Sequence, residues 1–380
     1  MTAVPTAARP YRVLICDDQH DVLHALQLLL KGQGYEAVAV DSPRALLGKA
    51  RTEEFDLILA DLNYTRDTTS GEEGLDLLAG LELQGNTAPV IVMTAWGSID
   101  LAVEAMRRGA CDFVQKPWDN GRVLAAIRKQ ANSERRRQSE LEIAATVQQK
   151  LFPREARRLR TLDYAGQCVA ARGVGGDYYD FLDLGQNTGN DSLGFVLADV
   201  SGKGVPAALL MANLQACFRT QAASGVRGPA ELLEAVHKHF YSSTGSDRFA
   251  TLFFGSYDDG TRRMRYVNCG HCAPLVLRRG GELIKLESTA PMLGAFEEWD
   301  CAEGEVRLDS GDTLLLYSDG VTEATNSMGD EFGEDRLVRI LRQSGAPATG
   351  DLAREIVKAV SAFSGASLTD DVTVVALRGA

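Results

Sequence analysis

The sequence predicts two domains of different fold class: an α/β domain with a doubly wound parallel sheet and an α+β domain built as an α-β-β-α sandwich, joined by one long helix. Short runs of Val, Ile and Leu alternate with amphipathic stretches over residues 11–130, which is typical of parallel strands covered on both faces. A run rich in Ala, Glu, Gln and Arg follows, without Gly or Pro until Pro153. Strands and helices then come in blocks separated by hairpin turns. We therefore expect domains at 11–130 and 161–380 and a helical connector over 120–160.

Composition and charge narrow the classes of function. The 380 residues are 45% hydrophobic and 24% charged, as in ordinary globular proteins, and no apolar run approaches the ~20 residues of a membrane span. A net charge of −12 argues against nucleic acid as the main partner. Seven cysteines in so long a chain predict reduced thiols and a cytoplasmic location. The opening MTAVPTAARP lacks the apolar core of a signal peptide, and we expect a loose arm.

In the first domain, an amphipathic helix is expected at DVLHALQLLLKGQG, with Gly34 at its end. Strands are expected at RVLIC, LILAD, VIVMTA and DFVQKP. Chemistry in a doubly wound sheet collects beyond the carboxyl ends of its strands, and carboxylates gathered there repel one another unless a cation lies among them. The polar residues that follow these strands are Asp17, Asp18, Asp61, Thr94 and Lys116. A lone Asp at a strand end is usually a helix cap or a turn, but this ordered set indicates a divalent-metal site.

The motifs CDD (16–18), LAD (59–61), MTA (93–95) and QKP (115–117) resemble the receiver domain of bacterial response regulators. The resemblance implies that Asp61 accepts a phosphoryl group from a histidine kinase or another phosphodonor. It also implies that Mg²⁺ is held by Asp17, Asp18 and Asp61. Such a nucleophile needs a metal and a fixed cation to neutralise the phosphoryl group.

Three further roles in this domain come from the same resemblance. Thr94 is expected to bond the phosphoryl oxygen and Lys116 to pair with its charge. Phe113 occupies the aromatic switch position of the family. The peptide bond between Lys116 and Pro117 is expected to be cis.

The connector is predicted to be one helix that Pro153 closes. A 3-4 spacing from Leu124 traces a row that is apolar at both ends and polar at Glu134 and Gln138. A strong coiled coil would not have this pattern. Two interpretations stay open: a solvated spacer helix, or a marginal dimer helix whose pairing can be switched.

The second domain is predicted to hold antiparallel sheets flanked by helices, with a hairpin at Asp259-Gly260. Its strands are expected at LGFVLAD, ATLFFGSY, RRMRYVNC, APLVLRR, DTLLLYSD and VTVVALR. Its helices are expected at PAALLMANLQACFRTQAA, PAELLEAVHKHF and LAREIVKAVSAF.

Acidic residues of this domain fall where strands meet loops. Asp177 follows two glycines, which let the backbone approach a ligand closely. The others are Asp199, Asp319, Asp370 and Asp371. Oxygen-only ligands suit Mg²⁺ or Mn²⁺ rather than zinc, and two such ions roughly 3.5–4 Å apart can activate a water and clamp a phosphate.

The motifs GGDYYDF, LADVSGKGVPAAL, FATLFF, NCGHCAP, LLLYSDGVTEATN, FGEDRL and TDDVTVV resemble the metal-dependent Ser/Thr protein phosphatases of the PPM family, in their bacterial SpoIIE-like branch. The resemblance implies two Mn²⁺ or Mg²⁺ ions. Asp177 and Asp199 would bridge both ions, with the carbonyl of Val200 as a further ligand. Asp319 and Asp370 would complete the shell of the second ion, while the role of Asp371 stays open.

The CGHC segment, 269–272, is open to two interpretations. Cys-x-x-Cys can be redox-active or bind zinc, but a redox site needs a strand that leads into a helix. The flanks RRMRYVN and APLVLRR predict a strand, a turn and a strand instead. We expect Asn268 and His271 to shape this turn near the active site, with Cys269 and Cys272 incidental.

Together these patterns predict a response regulator whose output is the hydrolysis of phosphoserine or phosphothreonine on a partner protein. By resemblance, the expected partner is an anti-sigma-factor antagonist with a STAS domain. A homodimer is expected if the connector helix pairs. We favour activation by phosphorylation, because related domains are often held inactive by a misplaced helix before the first metal ligand. The alternative is a non-catalytic adaptor that keeps the phosphatase fold for binding. A DNA-binding regulator finds no support, because there is no P-loop and no basic helix-turn-helix after residue 160.

Overall fold

The computed structural model describes residues 10–64, 72–94, 99–153, 157–185, 191–225, 228–245, 248–343, 348–365 and 368–380. The expected N-terminal arm, except Pro10, and Ala95 of the MTA motif lie outside these ranges. The chain divides into two compact units, the first ending at Glu140 and the second beginning at Leu141. In the described parts, no helix is both long enough and apolar enough to cross a membrane.

The first unit contains a five-stranded sheet, all parallel, in the order β2-β1-β3-β4-β5. Its strands are β1 (Arg12–Cys16), β2 (Glu36–Val40), β3 (Leu57–Asp61), β4 (Val90–Thr94) and β5 (Asp112–Gln115). The four predicted strands are confirmed. Strand β2 was not predicted, because it lies at the sheet edge and is only partly buried.

Helices cover both faces of this sheet, so the doubly wound fold is confirmed. They are α1 (His20–Lys31), α2 (Pro43–Thr52), α3 (Glu72–Leu83), α4 (Ile99–Arg107) and α5 (Asn120–Gln149). One face packs against α1 and the first turns of α5, through Leu26 and Ile127. The other packs against α2 and α3, through Leu46 and Leu78. Gly34 follows α1 with φ +81°, a conformation that favours glycine.

The connector is one helix, as predicted, and it ends at Gln149 rather than at Pro153. The predicted row is not a free seam, because Ile127 and Ala131 are buried in the core of the first unit. The large apolar side chains that α5 exposes are instead Ile143 (63%) and Val147 (55%). The side chain of Glu134 lies outside the described part of the chain.

The second unit holds two five-stranded sheets, with strand orders β13-β10-β9-β8-β7 and β12-β11-β14-β15-β6. All neighbouring strands are antiparallel. The first sheet comprises β7 (Tyr178–Asp183), β8 (Ser192–Val200), β9 (Ala250–Asp258), β10 (Arg263–Cys269) and β13 (Gly304–Arg307). The second comprises β6 (Leu162–Val169), β11 (Leu275–Leu277), β12 (Leu283–Lys285), β14 (Thr313–Tyr317) and β15 (Val372–Gly379).

The two sheets and their helices form the predicted α-β-β-α sandwich. Its helices are α6 (Val205–Ala223), α7 (Pro229–Ser243), α8 (Asp319–Thr322), α9 (Gly333–Gln343) and α10 (Thr349–Phe363). Phe195 and Leu316 meet in the apolar layer between the sheets. Helices α6 and α7 cover the first sheet and α9 and α10 the second. The acidic residues of this domain lie at the ends of the strands, where the chain passes from the two sheets into loops.

Candidate functional sites

The first acidic cluster lies at the carboxyl edge of the parallel sheet. Asp17 and Asp18 follow β1, and Asp61 ends β3, the strand paired beside it. One carboxylate oxygen from each lies within 4.8 Å of the others. Asp18 Oδ1 and Asp61 Oδ1 are buried without a hydrogen-bond partner. Unsatisfied buried carboxylate oxygens are costly, so this all-oxygen donor set fits a magnesium ion.

Lys116 balances part of this charge. Its Nζ lies 2.6 Å from Asp17 Oδ2 and 2.7 Å from Asp61 Oδ2. Burial raises the pKa of Asp61, while the Lys116 charge opposes that rise. The peptide bond between Lys116 and Pro117 is cis, as expected.

The structure places the two remaining receiver residues on β4 and β5. Thr94 is the last residue of β4, is 2% exposed, and accepts the backbone N–H of Lys116 at its carbonyl (2.7 Å). Phe113 lies on β5 and is 39% exposed. Thr94 thus ends the strand next to β3, whose last residue is Asp61, whereas the Phe113 ring reaches solvent.

The second acidic cluster forms where the edges of the two antiparallel sheets meet. Asp177 precedes β7 and Asp199 lies near the end of β8, and the pairing of Tyr178 with Ala198 brings them side by side. Asp319 follows β14 and Asp370 precedes β15, and these two strands are neighbours in the other sheet. All four acids therefore lie at one end of the sandwich.

A hydrogen bond joins the two edges, and a second bond within the second sheet holds its donor. Thr373 of β15 donates its hydroxyl to Asp177 Oδ2 at 2.5 Å. The Ser318 backbone N–H donates to the Thr373 carbonyl at 3.0 Å. Asp177, on the first sheet, is thus fixed by a residue of the second.

Burial and mutual repulsion perturb these carboxyl groups. Burial, and then the charge of Asp199, raises the pKa of Asp177 well above its usual value. Burial, and then Asp319 and Asp370, raises the pKa of Asp199 to about 7. Burial also raises the pKa of Asp319, with Asp370 adding to the effect. Such repulsion is relieved when a cation binds between the acids.

Backbone oxygen also reaches this cluster. A Cβ added at Gly176 would lie 2.6 Å from the Val200 carbonyl and 3.5 Å from Asp199 Oδ1. A side chain at Gly176 would fill the space between these oxygens. The second glycine of the GGDYYDF motif therefore keeps this space open. Carboxylate and carbonyl oxygens are ligands that Mg²⁺ and Mn²⁺ accept. The donor set therefore fits the expected ions. These acids are spaced more widely than those of the first cluster, which is the one group among the described residues whose ligand atoms all lie within 4.8 Å of one another.

Asp371 shapes the loop that leads to Asp177. Its carboxylate accepts the backbone N–H groups of Ala171 (2.9 Å) and Gly176 (2.8 Å). A Cβ at Gly175 would collide with this carboxylate at 1.8 Å. Both oxygens are therefore engaged with the backbone, and Asp371 positions the loop.

Gln148 is a contact that the sequence did not reveal. It lies in the last turn of α5, is 8% exposed, and donates from Nε2 to the Gly175 carbonyl at 2.7 Å. The Gly175 N–H donates back to Gln148 Oε1 at 3.1 Å. Helix α5 therefore holds the loop that carries Asp177. The 3-4 spacing from Leu124 passes through Gln148 and not through its exposed neighbour Gln149, but nothing in the sequence indicates the partner.

The CGHC segment forms a turn between β10 and β11, as expected. Asn268 Oδ1 accepts the backbone N–H of His271 at 2.9 Å, which closes the turn. His271 Nδ1 pairs with the Thr251 hydroxyl at 2.9 Å, and burial lowers its pKa to about 4. All seven cysteines are free, and burial raises the pKa of Cys272 to about 12 and that of Cys269 further. Protonated thiols are poor nucleophiles and poor metal ligands.

A cavity of about 360 Å³ opens beside the second cluster. Its lining includes Asp199, Asp319, Ser201, Thr251, His271 and Cys272. This volume is ample for a phosphorylated side chain, which would enter next to two of the four acids.

Comparisons with known proteins match both units of the chain. The sequence profile of the family described as Stage II sporulation protein E (SpoIIE) matches residues 189–379, and that of the response regulator receiver domain matches 13–128. Phosphoserine phosphatase RsbU of Bacillus subtilis is 27% identical over 241 residues, 63% of this chain and 70% of RsbU. Response regulator protein FleR of Pseudomonas aeruginosa is 37% identical over 120 residues, 32% of this chain and 24% of FleR.

One solved structure supports the fold of the second unit. The SiaA-PP2C domain of Pseudomonas aeruginosa matches with a TM-score of 0.56 at 20% identity, covering 65% of this chain and 99% of that domain.

Proposed function

This chain belongs to the Stage II sporulation protein E (SpoIIE) family, and on that premise we propose that it is a response regulator whose output is a metal-dependent protein phosphatase. Its reaction is the hydrolysis of phosphoserine or phosphothreonine on a partner protein. One observation carries the proposal: four acids from two sheets converge at one edge of the sandwich, beside a cavity of about 360 Å³. The name of RsbU, phosphoserine phosphatase, supports the choice of substrate.

We assign the metal ligands of the phosphatase to Asp177, Asp199, Asp319, Asp370 and the carbonyl of Val200. Two Mn²⁺ or Mg²⁺ ions there would supply an activated water and neutralise the phosphate. Asp177 is oriented for this task by the Thr373 hydroxyl at 2.5 Å.

In the receiver domain, Asp61 is the proposed phosphoacceptor. Asp17 and Asp18 would hold Mg²⁺ together with Asp61, which would neutralise the incoming phosphoryl group. Lys116, already 2.7 Å from Asp61 Oδ2, supplies a fixed positive charge, and Thr94 supplies a hydroxyl. Phe113 is the proposed switch residue, exposed where its reorientation would change the surface. The phosphodonor is a histidine kinase or a small phosphorylated molecule.

We propose that helix α5 carries the signal. Its early turns bury Ile127 in the core of the first unit, and its last turn binds Gly175 through Gln148 in the second. A shift or rotation of this helix would therefore move the loop that precedes Asp177. The favoured direction is activation on phosphorylation, with a homodimer as the functional form and a phosphorylated anti-sigma-factor antagonist as the partner.

The alternative is an adaptor that binds phosphoproteins without hydrolysing them. Purified protein assayed with Mn²⁺ and p-nitrophenyl phosphate separates the two. We expect hydrolysis that EDTA abolishes, and a loss of at least ~10² in turnover in Asp199→Asn and in Asp319→Asn, because each change removes a metal ligand. Both variants should fold, since fewer like charges then crowd the site. Near-normal turnover in both would rule out the assigned site, and no Mn²⁺-dependent turnover in the parent protein would favour the adaptor.

A further inference from the structure

Lys203 reaches into the second acidic cluster from the turn that links β8 to α6. Its Nζ lies 2.6 Å from Asp370 Oδ2 and 3.1 Å from the Thr369 carbonyl. Asp199 lies on the first sheet, four residues before the lysine, whereas Asp370 leads into a strand of the second sheet. The ion pair therefore bridges the two edges that hold the proposed metal ligands.

The turn is built to present this side chain. Gly202 and Gly204, on either side of it, have φ values of +105° and +70°, a backbone conformation that other residues rarely adopt. A Cβ at Gly202 would also lie only 2.7 Å from the Arg248 guanidinium. The conformation of this turn, and with it the backbone position of Lys203, therefore depends on the two glycines.

The Lys203 ammonium acts on several acids of the cluster. Besides its ion pair with Asp370, its positive charge acts electrostatically on Asp199 and Asp319. The ammonium therefore partly neutralises the repulsion that a bound divalent cation would otherwise neutralise.

The pair with Asp370 is easily exchanged. The two side chains are 46% and 42% exposed, and ion pairs so open to water contribute little to stability. A divalent ion competes for the same carboxylate with twice the charge. When Asp370 binds such an ion, the ammonium is released on a turn whose preceding residues, Ser201 and Gly202, line the cavity that a phosphoryl dianion would enter.

We infer that Lys203 exchanges partners during function: it pairs with Asp370 while that carboxylate lacks a metal ion, and with the phosphoryl group of the substrate once the ion is bound. This inference rests on the proposed phosphatase function. Lysine suits the exchange because its ammonium is a compact point charge on a flexible stem.

Two binding measurements on the full chain test the exchange. Lys203→Gln should bind Mn²⁺ two- to fivefold more tightly in calorimetric titration, because the competing cation is gone, a range set by the strength of exposed ion pairs. With Mn²⁺ saturating, the same variant should bind inorganic phosphate about tenfold more weakly, the effect of losing one charged contact. Lys203→Arg, which keeps the charge, should restore most of the phosphate affinity.

Lys285→Gln is the matched control, because Lys285 forms an ion pair of similar exposure with Glu334 at 2.7 Å, and we expect no change in either affinity. Unchanged or weaker Mn²⁺ binding in Lys203→Gln, or unchanged phosphate binding, overturns the exchange. If the parent protein binds and hydrolyses but the variant behaves like the control, only this inference fails. If the parent binds no Mn²⁺, the proposed function fails with it.

Discussion

At the scale of single residues, the acids of the phosphatase site couple protonation to stability. The pKa of Asp199 rises from 3.8 to about 7 in the folded, metal-free protein. Between these values the folded state holds a proton that the unfolded chain has lost, so this group's contribution to stability falls as pH rises through the window. Mn²⁺ binding, which needs the ionised acid, should strengthen over the same range.

We therefore expect the unfolding temperature of the second unit, measured in EDTA, to decrease as the pH is raised from 5.5 to 8. Saturating Mn²⁺ should give its largest stabilisation at the higher pH. Asp199→Asn carries no titrating group at this position, and its pH dependence should be flatter. An equal slope in parent and variant would show that Asp199 does not hold the proton.

Asp61 offers a second test at this scale. Acetyl phosphate with Mg²⁺ should label Asp61 and no other residue, because the unpartnered Asp61 Oδ1 lies within the acid cluster while Lys116 neutralises Oδ2. Intact-mass spectrometry of Asp61→Asn should show no added phosphoryl group, while Asp76→Asn, an exposed acid on α3, should label like the parent. A label that persists in Asp61→Asn would move the phosphoacceptor elsewhere.

The residues most readily predicted from sequence were those at strand ends within recognisable motifs, and the structure brings Asp17, Asp18 and Asp61 together as expected. What the sequence did not reveal were contacts between distant segments. Asp371 binds backbone groups about 200 positions earlier, and Gln148 binds Gly175, 27 positions away. Both are ordinary polar residues locally, and only the fold gives them a partner.

Among the secondary-structure elements, the last turn of α5 makes a contact with the loop before Asp177 that mutation can test. Gln148→Ala removes two hydrogen bonds from buried backbone groups of Gly175, and leaving such groups unpaired costs about 1–3 kcal/mol. We expect a loop that no longer holds Asp177, and Mn²⁺ affinity and turnover that fall about tenfold or more. Gln149→Ala, at the exposed neighbouring position, is the control and should behave like the parent. Parent-like Mn²⁺ affinity in Gln148→Ala would show that the glutamine only packs.

Prediction of elements succeeded where burial left a strong pattern. Strands β8, β9 and β15 are long and almost wholly buried, and each was predicted. Strand β6 is only partly buried over most of its length and was missed. Strand β7 was missed as well although it is mostly buried, since two acidic residues interrupt its apolar run. Helix α9 was also missed, since charged residues fill the gaps between its few buried leucines.

For the whole molecule, the predicted dimer needs apolar side chains that remain exposed on the surface of the chain. The row traced from Leu124 cannot provide it, because its early apolar members are buried within the first unit. Ile143 and Val147 remain, four residues apart and therefore on one face of α5, and both are more than half exposed. Two such residues give a marginal dimer contact, which a modest signal can shift, since about 1.4 kcal/mol changes a pairing equilibrium tenfold.

We therefore expect phosphorylation of Asp61 to increase association and phosphatase rate together. Ile143→Glu with Val147→Glu should abolish association in sedimentation velocity, and the rate on a phosphopeptide should no longer respond to acetyl phosphate. Leu83→Glu changes an equally apolar side chain on α3, 89% exposed, and should leave both responses intact. Neither change touches Gln148 or a proposed metal ligand, so basal Mn²⁺-dependent hydrolysis reports whether each variant keeps its active site. If the double variant stays monomeric and its rate still rises on phosphorylation, the signal travels within one chain and pairing of α5 plays no part.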